Sequence, residues 1–381
     1  MYSYVRFWNQ RFYPEDCYES PLRPASRAQT PYDQQKYVVF EPDWGGWNNI
    51  RMAAETVMIF AHATGRTLVM PPNMVFYLLD KGNDNKSTFH KFFDFRKVKE
   101  GLNIITMEEF VENVAKKGLL KIPYPNNIDN KDKLYNYIEQ ACYIRQWTPT
   151  KFFVGFNISS QYEGIFGTYT SKKKQPRRYK EMIGNQGRKM IPYDSIMDAE
   201  RAIHFSGRIN SNRLLTHYYT FLYWENPHIE RIYNRIVRDR LHYHDDIFCG
   251  AGRVTLGGDT NRDATYFAYH IRRGDFQYSN MKLSAEQIWT NTQHLLNSSI
   301  TTLIYIATDE RNKSFFEPFM RAPWTVRFLD TYLDTNSLHT EGSALTVNHL
   351  GMLEQVVCAN AHTFIGTPLS TFTGYIMRMR G

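Results

Sequence analysis

Residues 265–276 read TYFAYHIRRGDF, and this stretch decides the fold. Its first half, residues 266–271, mixes aromatic, β-branched and small apolar residues, which predicts a strand buried on both faces of a parallel sheet. Arg272, Arg273 and Asp275 follow at once, so the strand would present two guanidiniums and a carboxylate at its carboxyl end, where open α/β sheets bind ligands. A guanidinium matches phosphate oxygens bidentately and stays charged at any working pH. The expected ligand is therefore a diphosphate.

The same residues have two other interpretations. Two arginines and an aspartate at a strand end also fit an intramolecular salt-bridge cluster that binds no ligand. Arg273, Gly274 and Asp275 also spell an adhesion tripeptide, but such ligands need an exposed flexible loop, and here a buried strand leads directly into the tripeptide. On these residues alone, the anion site and the salt-bridge cluster both remain open.

Downstream of this strand, apolar runs alternate regularly with amphipathic runs. The pattern predicts strands at residues 303–307, 326–329 and 363–365, and helices at residues 284–296, 313–320, 347–359 and from 370 onward. Ser284 and Gln287 have the spacing of a capping box at the start of the first helix. Strands that alternate with helices indicate a parallel sheet wrapped by helices. This half of the chain is therefore predicted to be a Rossmann-like domain.

Polar residues follow the ends of two further predicted strands. Asp309 comes after the second strand, and Ser370, Thr371 and Phe372 follow a glycine turn after the last one. Hydroxyl and backbone donors at the start of a helix favour a phosphate, and a carboxylate accepts hydrogen bonds from a base or ribose. Each residue also has a simpler interpretation as a helix cap. Three such groups at the strand ends of one sheet together favour a nucleotide site.

The amino-terminal half opens with a second strand–turn–helix pattern. Residues 37–40 (YVVF) predict a strand, and the segment WGGWNNIR at residues 44–51 leads into a helix that Gly65 ends. Gly45 and Gly46 permit close approach of a ligand, and Asn48 or Asn49 would cap the helix, whose free N–H groups attract anionic oxygens. The segment has neither P-loop nor GxGxxG spacing. A tight turn with an ordinary cap explains it equally well.

Composition limits the class of protein without choosing the ligand. The 381 residues, 42% of them hydrophobic, are enough for two ordinary domains with a core. A formal net charge of +8 favours anionic partners of any kind. The densest basic run, residues 172–178, is interpreted as a solvated loop, so no nucleic-acid partner is predicted. Four scattered cysteines show no metal-ligand spacing, and no metal is predicted.

Targeting signals point in different directions. Sequons begin at Asn85, Asn157, Asn297 and Asn312, which fits a protein of the secretory pathway. No apolar run is long enough to span a membrane, and the first residues, MYSYVRFWNQRF, lack the apolar core of a signal peptide. We therefore expect no stable membrane contact by this chain. It is expected in the lumen of the endoplasmic reticulum or Golgi if a targeting segment is missing, and in the cytoplasm otherwise.

Four strings occur in the same order as in a known family. GGWNNIR with its helix and TLVMPP, then AYHIRRGDF, YIATDE and FIGTPLSTFTGYIMRMRG together resemble the GDP-fucose protein O-fucosyltransferase family over residues 37–381. HIRR also resembles bacterial and α1,6-fucosyltransferases. The resemblance implies an α/β fold of GT-B type, with two Rossmann-like domains facing a central cleft. It also implies inverting transfer without an obligatory metal or other cofactor, with GDP-fucose as the donor substrate.

The resemblance also assigns roles by position. Arg272 would bind the β-phosphate and the glycosidic oxygen and stabilise charge as GDP leaves. Asn48 would reach the diphosphate and Arg51 would complete that motif, while Asp275 and Asp309 would hold the guanosine or ribose. The predicted donor-binding residues are Gly45, Gly46, Asn48, Arg51, His270, Arg272, Arg273, Asp275, Asp309, Ser370, Thr371 and Phe372.

The general base is the least defined group of the site. Some relatives carry a glutamate directly before the glycine–aromatic–asparagine string, where this chain has Gly45; the nearest carboxylates are Glu41 and Asp43. Asp43 is the candidate base. The alternatives are a mechanism with little base assistance, an acceptor that brings its own base, and a different acceptor class. His270 is interpreted as a packed structural histidine rather than a base.

The sequence thus predicts a fucosyltransferase of three parts. Residues 1–36 are an extended lead-in, residues 37–225 an acceptor-side domain, and residues 226–381 the domain that binds GDP-fucose. The acceptor is a Ser/Thr hydroxyl of a protein or a glycan hydroxyl. The alternatives are a glycosyltransferase that uses another nucleotide sugar and a non-catalytic nucleotide-sugar or glycan-binding module.

Overall fold

The chain forms two compact units, one ending at His242 and the other beginning at Tyr243. The computed structural model describes residues 30–43, 45–73, 76, 79, 88–99, 101–144, 152–156, 177–185, 187–207, 214, 216–226, 229–233, 241–256, 265–333 and 345–380. Most of the predicted lead-in, residues 1–36, lies outside these ranges. The domain boundary at residue 225 stays a prediction.

The amino-terminal unit alternates short strands with helices. Its strands are β1 (Tyr37–Phe40), β2 (Thr67–Met70), β3 (Phe93–Asp94), β4 (Ile104–Thr106), β5 (Tyr143–Ile144), β6 (Phe152–Phe156), β7 (Lys189–Pro192), β8 (Ala202–Phe205) and β9 (Leu222–Trp224). Its α-helices are α1 (Trp47–Ala63), α2 (Arg96–Lys99), α3 (Met107–Phe110, extended by a π-turn, Val111–Ala115), α4 (Lys131–Ala141), α5 (Arg177–Ile183), α6 (Ser195–Ala199) and α7 (Tyr218–Phe221). A 3₁₀ turn, Phe89–Lys91, precedes β3.

A five-stranded sheet in the order β4-β2-β1-β8-β5 forms the centre of this unit, and its strand pairs are parallel. All four residues of β1 are buried, as a central strand covered on both faces requires. Tyr37 and Val39 on one face pack with Tyr135 and Ile138 of α4. A second parallel sheet has the order β7-β6-β9.

The carboxyl-terminal unit has a simpler alternation. Strand β10 (His242–Tyr243) and helix α8 (Asp245–Leu256) lead to β11 (Phe267–Ile271), α9 (Ala285–Thr292), β12 (Leu303–Thr308), β13 (Thr325–Arg327), α10 (Asp330–Leu333), α11 (Leu350–Asn360), β14 (Thr363–Gly366) and α12 (Thr371–Arg380). The 3₁₀ segments are Ser279–Met281, Gln293–Leu295, Lys313–Met320 and Val347–His349. Ser284 and Gln287 form the predicted capping box at the start of α9.

Strand β11 lies inside a four-stranded parallel sheet in the order β13-β12-β11-β14. Phe267, Tyr269 and Ile271 pack on one face against Trp289 and Phe316. The register sets His270 opposite Ala307 on one side and Gly366 on the other. Because the three strands end at the same level, the residues that follow them meet at one edge. The predicted α/β fold class, with a Rossmann-like parallel sheet in each unit, is confirmed.

Three stretches of the amino-terminal unit differ from what their sequence pattern predicts. The run FHKFFDF at residues 89–95 predicts a helix, but a 3₁₀ turn gives way to β3 there. The Lys-, Gly- and Pro-rich interval of residues 168–192 predicts a loop, but it contains α5 and β7. Residues 214–224 predict one amphipathic helix, yet the chain changes from α7 to β9 within them. All three residues of β9 are buried, and pairing with β6 outweighs the local pattern.

Within the described ranges, no helix is both long and apolar enough to cross a bilayer.

Candidate functional site

The carboxyl ends of β11 and β14 are joined through one hydroxyl. The Arg272 backbone N–H donates to Thr367 Oγ1 (3.0 Å), and that hydroxyl donates to the His270 carbonyl (3.1 Å). The Thr367 N–H donates to the same carbonyl at 3.0 Å. These bonds fix where the backbone leaves the sheet, so they fix the starting point of the Arg272 side chain.

Arg272 lies between two carboxylates. Its Nη1 is 2.9 Å from Asp309 Oδ2, and its Nη2 donates to Asp275 Oδ1. The Arg272 side chain is 32% exposed and that of Asp275 is 73% exposed. The salt-bridge cluster that the sequence left open is therefore present. Because an exposed ion pair stabilises little, a phosphate can replace Asp275 at this guanidinium at small cost.

Asp309 holds the loop after β11 in place. Its Oδ1 accepts a hydrogen bond from the Arg273 backbone N–H at 2.7 Å, while Oδ2 faces Arg272. A Cβ atom at Gly274 would lie 2.6 Å from the same Oδ2. A side chain at this position would therefore force the Asp309 carboxylate to shift. The structure gives Asp309 a clear role in placing Arg272, and its contact with a ribose or base stays a prediction.

Three contacts within the protein hold the Arg273 side chain. Its Nε lies 3.0 Å from Glu310 Oε2, its Nη1 donates to the Leu283 carbonyl at 3.1 Å, and its guanidinium is 4.0 Å from the centre of the Phe315 ring. Hydrogen bonds from the Asn312 backbone and from Arg273 lower the pKa of Glu310. These contacts favour a structural role for Arg273, whereas donor binding by it stays a prediction.

His270 packs against the first turn of α12. Its Nδ1 is 2.8 Å from Thr373 Oγ1, and its ring stacks on Phe372 with centroids 4.4 Å apart. Burial, together with the nearby Arg272 guanidinium, lowers the pKa of His270 to about 3. The imidazole is therefore neutral at physiological pH and orients Phe372, which agrees with the structural interpretation of this histidine.

Ser370, Thr371 and Phe372 stand where α12 begins, half-buried. The residue before them, Leu369, has a φ of 60°, a left-handed conformation that costs a bulky residue about 1–2 kcal/mol. Leu369 is also 63% exposed, so packing does not offset this cost. The first N–H groups of a helix have no partner within it, and the contact of Phe372 with His270 places this end of α12 near the carboxyl end of β11.

In the amino-terminal unit, the glycine turn precedes α1 as predicted, but its cap differs. Gly46 occupies the N-cap position without a side-chain cap, so the prediction that Asn48 or Asn49 caps the helix is wrong; a cap side chain must precede the first helical residue, here Trp47. Asp43 Oδ1 accepts from the Gly45 N–H at 2.8 Å and so stabilises the turn. Asn48 is half-buried in the first turn of α1.

Arg51 is buried in a direct ion pair. Its Nε is 2.7 Å from Glu55 Oε1, one helical turn further on, with side-chain exposures of 7% and 1%. The guanidinium also lies 5.2 Å from the centre of the Phe93 ring. These contacts hold the first turns of α1 against β3. A direct contact of Arg51 with a ligand stays a prediction, as do the ligand contacts of Gly45, Gly46 and Asn48.

Sequence reasoning missed Glu354 of α11. Its Oε1 accepts a hydrogen bond from the Tyr305 hydroxyl at 3.0 Å. Burial raises the pKa of Glu354 to about 8, an effect that the hydrogen bond from Tyr305 opposes and that the charge of Asp330 enhances. The available signal was a single glutamate in the apolar string LGMLEQVVCAN.

Among the described residues, no group of three or more His, Cys, Asp or Glu side chains has the arrangement of a metal site.

Glu354 predicts a specific dependence of stability on pH. Its folded-state pKa is raised from 4.5 to about 8, so its contribution to the free energy of unfolding is complete below the unfolded pKa and is lost as the pH rises toward 8. We expect Glu354→Gln to remove this part of the decline, measured by urea unfolding at intervals from pH 5 to 9. Glu286→Gln, at an exposed ion pair, should keep the wild-type profile. An unchanged profile in Glu354→Gln would show that the carboxyl titrates normally.

A family model described as GDP-fucose protein O-fucosyltransferase matches residues 37–381. Human GDP-fucose protein O-fucosyltransferase 2 is 29% identical over 137 residues, which cover 35% of this chain and 29% of that protein. The chimpanzee protein of the same name is 29% identical over 110 residues, 28% of this chain and 24% of that one. The match thus spans less than a third of the length of these relatives.

Solved structures that match this chain over most of its length include the following two. A crystal structure of POFUT1 in complex with GDP-fucose covers 93% of this chain and 95% of its own, with 14% identity and a TM-score of 0.46. The crystal structure of the fucosyltransferase NodZ from Bradyrhizobium covers 90% of this chain and 93% of its own, with 13% identity and a TM-score of 0.43.

Proposed function

This chain belongs to the GDP-fucose protein O-fucosyltransferase family, and from that premise we propose that it transfers fucose from GDP-fucose to a hydroxyl group with inversion at C1. The acceptor is a Ser or Thr hydroxyl of a protein, or a hydroxyl of a glycan. The observation that carries the proposal is the placement of Arg272, a half-exposed guanidinium at the carboxyl end of β11 between two carboxylates.

Arg272 supplies the charge that the reaction needs. As the bond from C1 to the β-phosphate oxygen breaks, negative charge builds up on GDP and positive charge on the sugar ring. A fixed guanidinium beside that oxygen stabilises the transition state more than the ground state, because the charge on the oxygen is larger there. The same cation serves where other transferases use a metal ion, so activity should persist in a chelator.

The surrounding residues would complete the donor site. We assign the phosphates to the start of α12, at Ser370, Thr371 and Phe372, since helix N-termini favour anionic oxygens. Asp309 and Asp275 remain the acceptors for ribose or base donors. His270 would act indirectly by fixing Phe372, and Arg273 would act indirectly by fixing the loop after β11.

The amino-terminal unit would supply the acceptor side. Gly45 and Gly46 allow close approach of a ligand, and Asn48 would reach the diphosphate, with Arg51 fixed by Glu55 to support that turn. Family membership and the sequons at Asn297 and Asn312 support a site of action in the secretory lumen. No nucleic acid, membrane surface or metal is needed in this proposal.

Isothermal calorimetry in EDTA tests the donor. We expect GDP and GDP-fucose to bind with Kd values of about 1–10 μM, or about −8 to −7 kcal/mol, and ADP or UDP-glucose to bind at least tenfold more weakly. Tighter binding of another nucleotide would assign a different nucleotide sugar. Absence of GDP binding would contradict the proposal. Binding of GDP-fucose without release of GDP would identify a non-catalytic module.

A further inference from the structure

An exposed turn between α9 and β12 carries one of the four sequons of the chain. Asn297, Ser298 and Ser299 have the spacing Asn-x-Ser, with a residue other than proline in the middle. All four residues from Asn297 to Ile300 are exposed. The Ile300 N–H donates to the Asn297 carbonyl at 2.9 Å, which closes the turn. The folded chain therefore leaves room for a bulky group at this sequon.

The side-chain amide of Asn297 is engaged at its oxygen only. The Ser299 backbone N–H donates to Asn297 Oδ1 at 3.0 Å. Among the residues that the structure describes, none hydrogen-bonds to Nδ2, the atom to which an N-linked glycan is attached. Because a glycosylated amide keeps its carbonyl oxygen, the bond that shapes the turn survives the modification.

The turn lies far from the residues assigned to the donor. It leads into the amino end of β12, whereas Arg272 follows the carboxyl end of β11, and the two strands are parallel. Strand β11 has five residues, which separates these two edges of the sheet by about 16 Å. Leu296, directly before Asn297, packs against the core of this unit and ties the turn to it. A glycan at Asn297 would therefore leave the donor edge open.

The sequon at Asn312 has a different setting. It follows the carboxyl end of β12, at the edge that carries the donor-site residues. The Ser314 hydroxyl, which a glycosylating enzyme has to recognise, donates to Asn312 Oδ1 at 2.8 Å, and the Asn312 N–H donates to Glu310 Oε1 at 3.0 Å. In the described part of the chain, the Ser299 hydroxyl makes no such bond. The structure thus favours Asn297 over Asn312 as the modified residue.

Two aliphatic side chains beside the Asn297 sequon are largely exposed. Leu295 is 51% exposed and Ile300 is 45% exposed, and Asn297 lies between them in the chain. Each square ångström of apolar surface left in water costs about 25 cal/mol, and neighbouring exposed apolar groups favour self-association. An N-linked glycan is bulky and solubilising. Attached between Leu295 and Ile300, it would keep both from contact with another molecule.

We propose that Asn297 carries an N-linked glycan that covers Leu295 and Ile300. The inference goes beyond the proposed function, because it concerns neither GDP-fucose nor its acceptor. The glycan donor is a lipid diphosphate-linked oligosaccharide of the secretory lumen. Asn297 Nδ2 loses a proton and forms a bond to C1 of the first N-acetylglucosamine, while the C1–O bond breaks and its electron pair leaves with the lipid diphosphate.

Labelling in the secretory lumen tests the modification. A cleavable signal peptide placed before the first residue delivers the full chain to the lumen of mammalian cells. The chain is purified from the lumenal and secreted fractions together, so retention of a variant does not remove it from the measurement. Peptide N-glycosidase F in heavy-oxygen water converts each glycosylated asparagine to a labelled aspartate, which peptide mass spectrometry locates. Samples without the enzyme measure spontaneous deamidation.

Two substitutions in the turn separate the sequon from its surroundings. Ser299→Ala removes the hydroxyl of the sequon and keeps the backbone N–H that donates to Asn297 Oδ1. Ser298→Ala, in the same exposed turn, keeps the sequon and is the matched control. We expect the label at Asn297 in the wild type and in Ser298→Ala, and its complete loss in Ser299→Ala. No readout involves GDP, so failure of the proposed function would not affect the result.

Self-association tests the cover over the aliphatic side chains. In gel filtration, Ser299→Ala should form about twofold more aggregate than Ser298→Ala, because its apolar surface is bare. Wild-type protein freed of its glycan under native conditions should behave in the same way. Adding Leu295→Ser and Ile300→Ser to Ser299→Ala should reverse the increase. Equal aggregation with and without these two serines would overturn the cover.

The remaining outcomes decide the site itself. An unlabelled Asn297 in wild-type chain from the lumen would overturn the inference, whether the label is absent altogether or found only at Asn312 or at Asn85 and Asn157, which lie outside the described residues. Label at Asn297 that persists in Ser299→Ala would overturn it as well, since that label would not depend on the sequon.

Discussion

Arg272→Ala is expected to weaken GDP binding by about 2 kcal/mol, close to thirtyfold, and to reduce turnover of GDP-fucose by about 10²–10³-fold or more. The loss in turnover exceeds the loss in binding because the guanidinium is worth most when the leaving phosphate carries its full charge. Folding should be little affected, since Asp275 is largely exposed and Asp309 keeps its bond to the Arg273 N–H. Calorimetry with GDP and steady-state kinetics with GDP-fucose measure the two effects.

Two further variants make this result specific. Arg321→Ala removes an exposed guanidinium paired with Glu286 at 2.8 Å in the same unit, and it should leave both quantities unchanged. Arg272→Lys keeps the charge but loses the planar fork, so it should recover more of the GDP affinity than of the turnover. Equal losses in Arg321→Ala and Arg272→Ala would mean that GDP responds only to overall charge, which would remove Arg272 from the site.

Gly366→Ala is expected to lower the free energy of unfolding by about 1–3 kcal/mol, as overpacking of a filled site does. A Cβ atom there would lie 2.5 Å from Thr373 Cγ2, 2.8 Å from Thr373 Oγ1 and 2.9 Å from Phe364 Cζ. Thr373 also holds His270 Nδ1, so its displacement should loosen Phe372 and weaken GDP binding as well. Urea unfolding and calorimetry on the same preparation measure both consequences.

The same helix provides the matched control. A Cβ atom at Gly374 would meet nothing within 4 Å, and this glycine lies inside α12. Gly374→Ala should therefore raise the free energy of unfolding by about 0.5–1 kcal/mol, the difference between glycine and alanine in a helix. Destabilisation of similar size in both variants would show that the packing around Gly366 is not the cause.

The carboxyl-terminal sheet was predictable because each strand is short, apolar and followed by a polar group. The run Tyr266–Ile271 and the capping box at Ser284 specify their elements through local chemistry, and parallel pairing then gathers the strand ends. The different environments of Arg272 and Arg273 were not predictable. Two adjacent residues point in different directions, and the contacts of the second, with Glu310 and Phe315, depend on how the next segment folds over it.

In the amino-terminal unit, pairing between distant segments decides secondary structure that the local sequence does not indicate. The segment Leu222–Trp224 becomes a strand because β6 lies beside it, and the interval that holds α5 was too polar to indicate a helix by its period. His204 Nε2 lies 3.1 Å from Glu41 Oε1 because β1 and β8 are neighbours in the sheet. Sequence patterns report one segment at a time, so a contact between two distant strands leaves no trace in either of them.

The carboxylate of Asp275 is already paired with the Arg272 guanidinium. Under the proposed function, Arg272 would exchange the departing GDP phosphate for this carboxylate and would not pass through an unpaired state. Product release would then resemble ligand substitution, in which an entering group from the protein speeds the departing one. An enzyme of this kind would hold its product more loosely than the strength of an arginine–phosphate pair suggests, and turnover would benefit where product release limits it.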